Sequence, residues 1–361
     1  MGPSPLVSVI IPAYCASQFL AKTLDSVLAQ TYRNIEVLVV DDGSSDETFD
    51  IGSQYERRDS RVKALRQSNA GAAAARNLAI SHARGEFIAP IDADDLWRPE
   101  NLEKQMARML SSDNSVGVVY SWSFDIDPDD ALLGSFHAYN IEGDVYTTLL
   151  CHNFLGNASA TLIRAACLKD VGCYSRDLVQ GCEDWELYLR IAAKYQYKVV
   201  PEFLVGYRKS LKSMSQICDA MAASHSSLLR CAERAAQLPK PARLLSTSSF
   251  YIYLAHVCAE SGRQGETRRW LGKALNAECV TPLLRSEVYL LFAQSFFPAG
   301  NSFAFSRRSA RAGKAITVES LRSDGSLYRR LFLGAVLHRT LQFAFEKRRK
   351  IGAVNVAAVS G

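Results

Sequence analysis

Three acidic stretches concentrate the chemistry available to this chain. In "PIDADDLWRP", Asp92, Asp94 and Asp95 fall within four positions, directly after the apolar run "GEFIA". In "VVDDGSSDE", Asp41 and Asp42 close another apolar run, and in "GCEDWELYLR", Glu183, Asp184 and Glu186 open a helical one. Carboxylates this close repel one another, so the first cluster needs either a cation or an open, solvated turn. A turn that caps the next helix accounts for one aspartate. Three fit better with a hard divalent ion, Mg2+ or Mn2+, which takes carboxylate oxygens and keeps positions for water and substrate phosphate. The second stretch reads as a turn built by Asp and Gly, or as a binding loop. The third, on composition alone, is a set of acidic residues in a helix's first turn, where the dipole favours them.

The surrounding pattern says what must position these groups. "LVSVIIPAY", "IEVLVVDD", "RVKALRQ" and "EFIAPIDADD" are apolar runs of strand length. "SQFLAKTLDSVLAQ", "SSDETFDIGSQYE" and "NAGAAAARNLAISHARG" between them have helical spacing, with Ser17 and Ser44 or Ser45 as expected N-caps. Strand and helix alternate as in a doubly wound α/β sheet, whose ligands sit outside the carboxyl ends of the strands. Asp41 and Asp42 end the second strand and the Asp92 cluster ends the fourth, so both fall on one edge. Further on, "VGVVYSWSFDID" predicts a strand, "ATLIRAACLKDVG" a strand or short helix, "GCEDWELYLRIAAKY" a helix, and "YKVVPEFLVGYRKS" a closing strand pair. From about residue 220 only helical periodicity remains, and the helix–Gly–helix shape around Ser261 to Gly265 hints at a tetratricopeptide-like hairpin without a clean repeat.

Charge divides the chain at the same place. Residues 1–219 hold 21 basic and 29 acidic residues, a net of −8, whereas residues 220–361 hold 21 basic and 8 acidic, a net of +13. The expected domains are 1–218, an α/β domain, and 219–361, a basic helical one. The start of the chain lacks the basic and small-residue marks of a secretory signal, and "LFLGAVLHRTLQFAF" is too short and too polar to span a bilayer. Nine cysteines, with no C-x-x-C pair, argue against a disulfide framework or a structural zinc site and for a reducing cytoplasm. The clusters "SRRSARAGK", "YRR" and "EKRRK" are either a solvated basic face or a dock for an anionic membrane surface. The segment "LYRRLFLGAVLHRTLQFAFEKRRK" would then lie in the interface. Basic and aromatic residues form no recognisable nucleic-acid module.

Taken in order, "VSVIIPAYCASQFLAKTLDSVLAQTYRNIEVLVVDDGSSDET", "NAGAAAARNLAISHARGEFIAPIDADD" and "EDWELYLR" resemble the inverting glycosyltransferases of family 2, with the GT-A fold, over roughly residues 6–215. The resemblance implies a mostly parallel, Rossmann-like mixed sheet and a single-sugar transfer from a nucleotide-diphosphate sugar, UDP-linked by default, to a glycan or lipid-linked acceptor. It implies a hexosyltransferase-type role in polysaccharide and cell-envelope synthesis. It assigns Asp42 to the nucleotide base, with Pro12, Ala13 and Tyr14 lining base and ribose. Asn69, Gly71 and Arg76 approach the nucleotide, Asp92 lies near the ribose and Asp94 holds the metal. Asp184 is the catalytic base, Glu183 orients the acceptor or the base, Trp185 is core or part of an acceptor wall, and Asp95 supports the metal residue from behind. Acceptor specificity is expected in residues 125–160.

Two departures stand out. Cys15 replaces a frequent Asn, and Ser210 in "YRKSLKSMS" replaces a frequent His, which leaves Arg208, Lys209 or Lys212 to meet the diphosphate. The Q-x-x-R-W motif of processive synthases is missing from the sequence. A nucleotidyltransferase would open with a Gly-rich, basic phosphate loop, which "IIPAYCAS" is not. A non-catalytic scaffold would have no reason to carry Asp42, Asp94 and Asp184 together.

Overall fold

The computed structural model describes residues 4–178, 181–209, 218–236, 240–279, 282–283, 286–296 and 339. Ser210, Lys212 and the three basic clusters after residue 300 lie outside the described residues, so the expected membrane dock has no structural counterpart to examine.

The apolar runs become strands because their β-branched side chains can bury on both faces of one sheet. β1 (Val7–Ala13) pairs in parallel with β2 (Ile35–Asp41) and β4 (Phe87–Pro90), and β2 with β3 (Val62–Arg66). β5 (Leu96–Trp97), β6 (Val116–Ile126), β7 (Leu132–His137), β8 (Thr161–Arg164) and β9 (Gln196–Arg208) complete a sheet ordered β3-β2-β1-β4-β8-β6-β9-β5, with β7 beside β6. β8 is antiparallel to both β4 and β6, and β6 is parallel to β9, so six strands share one direction. Their carboxyl ends, at Ala13, Asp41, Pro90, Ile126 and Arg208 among others, therefore line one edge.

Side chains alternate along β1 as the strand period requires. Ile10 joins the core on one face, and Val7, Val9 and Ile11 join the core on the other. The second face is covered by α1 (Leu20–Leu28) and α4 (Asn101–Leu110). The first is covered by α3 (Ala72–His82), whose alanines let it close onto β1 and β2. Three more helices follow: α5 (Tyr146–Cys151), α6 (Ala165–Val171) and α7 (Glu183–Ala192). "ATLIRAACLKDVG" is thus a strand followed by a helix.

Two local expectations change. "YKVVPEFLVGYRKS" is one long strand, β9, and not a pair. Pro201 and Glu202 bulge out between Val200, opposite Ser121, and Phe203, opposite Trp122, because proline has no N–H to give the ladder. Ser44 and Ser45 do not cap α2 (Thr48–Arg58), and Ser17 does not cap α1. Asp46 accepts the Thr48 and Ser17 amides instead. The hydroxyls of Ser44 and Thr48 accept the amides of Cys15 and Ala16, tying the loop after β1 to the loop after β2.

After β9 the described chain is helical: α8 (Cys218–Ala236), α9 (Lys240–Glu260), α10 (Gln264–Ala277) and α11 (Ser286–Gln294). α9 and α10 form a hairpin whose turn uses Gly262 at φ 71°, a left-handed position that glycine takes without strain. These helices share one hydrophobic core with the sheet's α3 face. The junction is aromatic. Trp185 lies 5.1 Å from His225 of α8 and 5.7 Å from Phe250 of α9, and His225 stacks on Phe250 at 4.2 Å. The Trp185 indole N–H donates to the Leu149 carbonyl at 2.7 Å. Trp185, which sequence left between core and acceptor wall, is a core residue: the apolar face of α7 points at the helical region, and the indole goes with it. Burial holds His225 neutral, its pKa pushed down to about 3.

Trp185→Ala is expected to cost about 3–5 kcal/mol through the cavity it leaves, and Trp185→Phe distinctly less. Urea denaturation followed by circular dichroism measures both.

Candidate functional site

The site is assembled where the strands end. Asp42, one residue past β2, is buried, and its carboxylate is engaged three times. It accepts the Gln67 side-chain amide at 2.7 Å and the backbone amides of Ala70 and Gly71, each at 2.8 Å. It therefore shapes the loop 67–71 that enters α3. Gly71 sits at φ 89° in that loop, and a Cβ on Gly43 would come within 2.8 Å of the Asn69 amide, so both turns need glycine. Asp41 pairs with Arg66 at 3.0 Å. Pro12 and Ala13 are buried at the end of β1, while Tyr14, 57% exposed, and exposed Asn69 and Gly71 stand at the mouth.

Arg76 is the link across the site. Sequence left it between a solvated helix charge and a nucleotide contact; it is not a solvated charge. Its side chain is 4% exposed and donates to Asp92 at 2.6 Å and to Glu183 at 2.8 Å. The guanidinium also lies over the Tyr174 ring, 5.3 Å from its centre. Burial opposes its charge, but Asp92 and Glu183 outweigh burial and hold it far above the ordinary range. The two acidic motifs, Asp92 from one and Glu183 from the other, are thereby fixed to one another through Arg76.

The three aspartates of "DADD" have different fates. Asp92 turns to Arg76. Asp95 is fully buried: it accepts the Ser159 hydroxyl and the Arg208 backbone amide, the latter at 2.8 Å. Burial, then Asp94 and Asp92, raise its pKa well above the carboxylate range. Asp94 is half-buried and, its own amide aside, no protein donor among the described residues reaches its carboxylate. Burial, with Asp92, pushes its pKa up to about 6. An acceptor-only carboxylate that protein donors leave free, in a place that resists negative charge, fits a divalent cation. The described residues supply no third converging ligand there, so water and substrate oxygens would complete the shell.

Arg208 does not meet a diphosphate. It is fully buried, donates to the Asp94 carbonyl at 2.7 Å and to the Asp127 carbonyl at 2.6 Å, and pairs with Asp130 at 2.6 Å. It stacks on Phe19 at 4.5 Å. It locks the backbone beneath Asp94. Part of the 125–160 stretch is therefore scaffolding for this lock.

Asp184 opens α7 after Cys182, which takes a left-handed φ of 67°. One of its oxygens accepts the Trp185 amide at 2.7 Å. Burial first, then Glu183, raise its pKa to about 7, against the opposing pull of Arg76. Two tyrosines that sequence reading missed lie near these carboxylates. Tyr207, beside Arg208 on β9, has its phenol pushed up by burial and then by Tyr253, Asp95, Asp92 and Asp94. Tyr253 of α9, 41% exposed, is pushed up by burial and then by Cys182, Glu260 and Asp184. It continues the Trp185–Phe250 stack, 5.8 Å from Phe250. No spacing signal marks Tyr253, because it comes from the helical region.

Comparison with known proteins follows this geometry. Residues 8–165 match the family model described as Glycosyl transferase family 2. The chain is 43% identical over 135 residues, 37% of its length, to the Escherichia coli UDP-Glc:alpha-D-GlcNAc-diphosphoundecaprenol beta-1,3-glucosyltransferase WfgD. It spans about half the length, or less, of the curated relatives it matches at 43–45% identity. Two solved structures have the same GT-A-like fold. TarS 1–349 of S. aureus, in complex with UDP, aligns over 85% of this chain and 92% of its own, with TM-score 0.52 and 19% identity. The mannosyltransferase PcManGT of Pyrobaculum calidifontis, in complex with GDP-Man and Mn2+, aligns over 93% and 88%, also at 0.52 and 19%.

Arg76→Met leaves Asp92 and Glu183 facing each other unpaired, and an expected loss of about 3–5 kcal/mol follows. Arg76→Lys cannot span both carboxylates and is expected to recover only part of it. Chemical denaturation of the three proteins checks the ranking.

Proposed function

We propose that this chain, whose residues 8–165 match the model of glycosyl transferase family 2, is an inverting transferase of that family. It moves one sugar from a nucleotide-diphosphate donor to a hydroxyl of a glycan or lipid-linked acceptor. The observation that carries the reading is the Arg76 bridge, which ties Asp92, two residues before Asp94, to Glu183, the residue before Asp184. The donor named for WfgD and the UDP of the TarS complex make uridine the first choice of base. The Mn2+ of the PcManGT complex supports a divalent cation held by Asp94.

In this reading the mouth formed by Tyr14, Asn69 and Gly71 receives the nucleotide, Tyr14 offering a stacking face. Asp42 acts through the loop it holds as well as through any remaining acceptor site on its oxygens. A bound cation supplies neutralisation of the leaving diphosphate. Asp184 takes the proton of the attacking hydroxyl as the new glycosidic bond forms and the bond to the diphosphate breaks on the opposite face of the sugar. Glu183 is spent on Arg76, so it positions Asp184 instead of sharing its work. Tyr207 and Tyr253 replace Trp185 as the aromatic border of the acceptor side. With a division at 218/219, donor chemistry falls to the first part, and the acceptor border draws Tyr207 from the first and Tyr253 from the second.

Calorimetric titration with UDP is expected to show Mn2+-dependent binding, and Asp94→Ala to abolish that dependence. Absence of nucleotide diphosphate binding with UDP, dTDP and GDP alike would reject the reading. Asp184→Asn is expected to lower turnover about 10²–10⁴-fold while leaving UDP binding unchanged; wild-type turnover in this variant would exclude Asp184 as the base. Because the Asp184 pKa is raised to about 7, the carboxyl holds its proton below that pH and cannot act as base. Turnover should rise with pH up to about 7 and level off above it, as a pH–rate profile under saturating donor would record.

A further inference from the structure

The helical region holds a second concentration of reactive groups, remote in sequence from every motif used above. Cys218 is the first residue of α8 and Cys258 lies near the end of α9. Both are buried, at 2% and 0% exposure, and their Sγ atoms are 3.3 Å apart. Glu266 of α10 places Oε2 3.8 Å from the Cys258 sulfur. Arg263, in the turn between α9 and α10, reaches the Cys218 sulfur at 3.4 Å with one nitrogen and Glu266 at 3.2 Å with another. Its side chain is 29% exposed, so the cluster opens to solvent along the arginine.

Two chemistries fit two thiols and a carboxylate. A tetrahedral zinc ion with bonds of about 2.3 Å holds its sulfurs about 3.8 Å apart, wider than this pair. The guanidinium also already lies against Cys218 and Glu266, where such an ion would bring a second positive charge. A disulfide needs only that the two sulfurs close to about 2.05 Å, and Arg263 already sets a donor nitrogen 3.4 Å from the Cys218 sulfur. We propose that Cys218 and Cys258 are an oxidisable pair that forms an intrachain disulfide with a peroxide as oxidant, Arg263 activating Cys218 and Cys258 resolving it.

The steps balance. The Cys218 thiolate attacks a peroxide oxygen, the O–O bond breaks, and Cys218 becomes a sulfenic acid as hydroxide leaves. Cys258 then attacks the Cys218 sulfur, the S–S bond forms and the sulfenic oxygen departs as water. The Cys258 thiol proton passes through nearby Glu266 to that departing oxygen, and the proton that Cys218 released on becoming a thiolate joins the hydroxide as the second water. Two thiols give up two electrons, and hydrogen peroxide becomes two waters. Burial holds the Cys258 thiol up to about 12, in keeping with a resolving partner and not an attacking one. The bridge fastens the start of α8 to the end of α9, the helix that carries Tyr253.

The test uses the full chain, reduced and desalted, treated with stoichiometric hydrogen peroxide, alkylated and mapped by mass spectrometry without reduction. The expected result is a linked peptide pair containing Cys218 and Cys258, loss of two of the nine titratable thiols, and recovery of both with dithiothreitol. In Cys258→Ser, Cys218 should be trapped as a sulfenic acid by dimedone. In Arg263→Gln, whose fold does not depend on a new cavity, the bridge should form about tenfold more slowly. Cys218 and Cys258 both alkylated, while exposed Cys15, Cys231 or Cys279 carry the oxidation, would overturn the proposal. So would an unchanged rate in Arg263→Gln, or stoichiometric zinc retained by the reduced chain and lost in Cys258→Ser. None of these readouts depends on the transferase reading.

Discussion

One buried guanidinium holds the site together. Arg76 rises from α3 between two acidic motifs that repel one another and that the chain delivers from opposite halves of the sheet. Its two ion pairs are short and shielded from water, where a single unpaired partner would be costly. The geometry of a planar fork matters here: each terminal nitrogen serves one carboxylate, which a lysine cannot reproduce. α3 itself is placed by Asp42, which holds the loop leading into it. Asp42, Arg76, Asp92 and Glu183 thus form a single chain of dependence from one edge of the site to the other.

Within "DADD", neighbouring residues of one type separate by burial and partner. Asp95 is sealed by Ser159 and the Arg208 amide, Asp92 is neutralised by Arg76, and Asp94 is left over. Arg208 clamps the backbone below, against Phe19 and Asp130. The result is one carboxylate that no donor among the described residues reaches, its own amide aside, on a rigid base and in surroundings that disfavour its charge. That is an unstable arrangement for the protein alone and a suitable one for a cation.

The helical region is part of the architecture of the site and more than an appendage. Trp185, adjacent to Asp184, is seated in an aromatic cluster with His225 and Phe250, so the helix that starts with Asp184 is held from behind by α8 and α9. Tyr253 brings that cluster to the surface beside the opening. Among the described residues, no helix is long and apolar enough to cross a membrane.

The sequence by itself determined the elements of the α/β half and the edge where ligands belong. Hydrophobic runs of strand length, separated by helical spacing, admit few other layouts, and acidic residues at strand ends then share an edge. It also singled out Asp94 and Asp184, because their motifs are local. Tertiary structure alone decided what each neighbouring residue does. In sequence Arg76 stands between solvated charge and nucleotide contact, Arg208 is one of three cations for a diphosphate, and Trp185 stands between core and acceptor wall. Which partners they meet depends on contacts across 16 to 114 positions, and local pattern carries no record of those. The single bent strand β9 followed from a bulge at Pro201, not from an interruption. The contribution of Tyr253 required α9 to fold back onto α7, a packing decision made by buried aromatic area and by nothing readable in spacing.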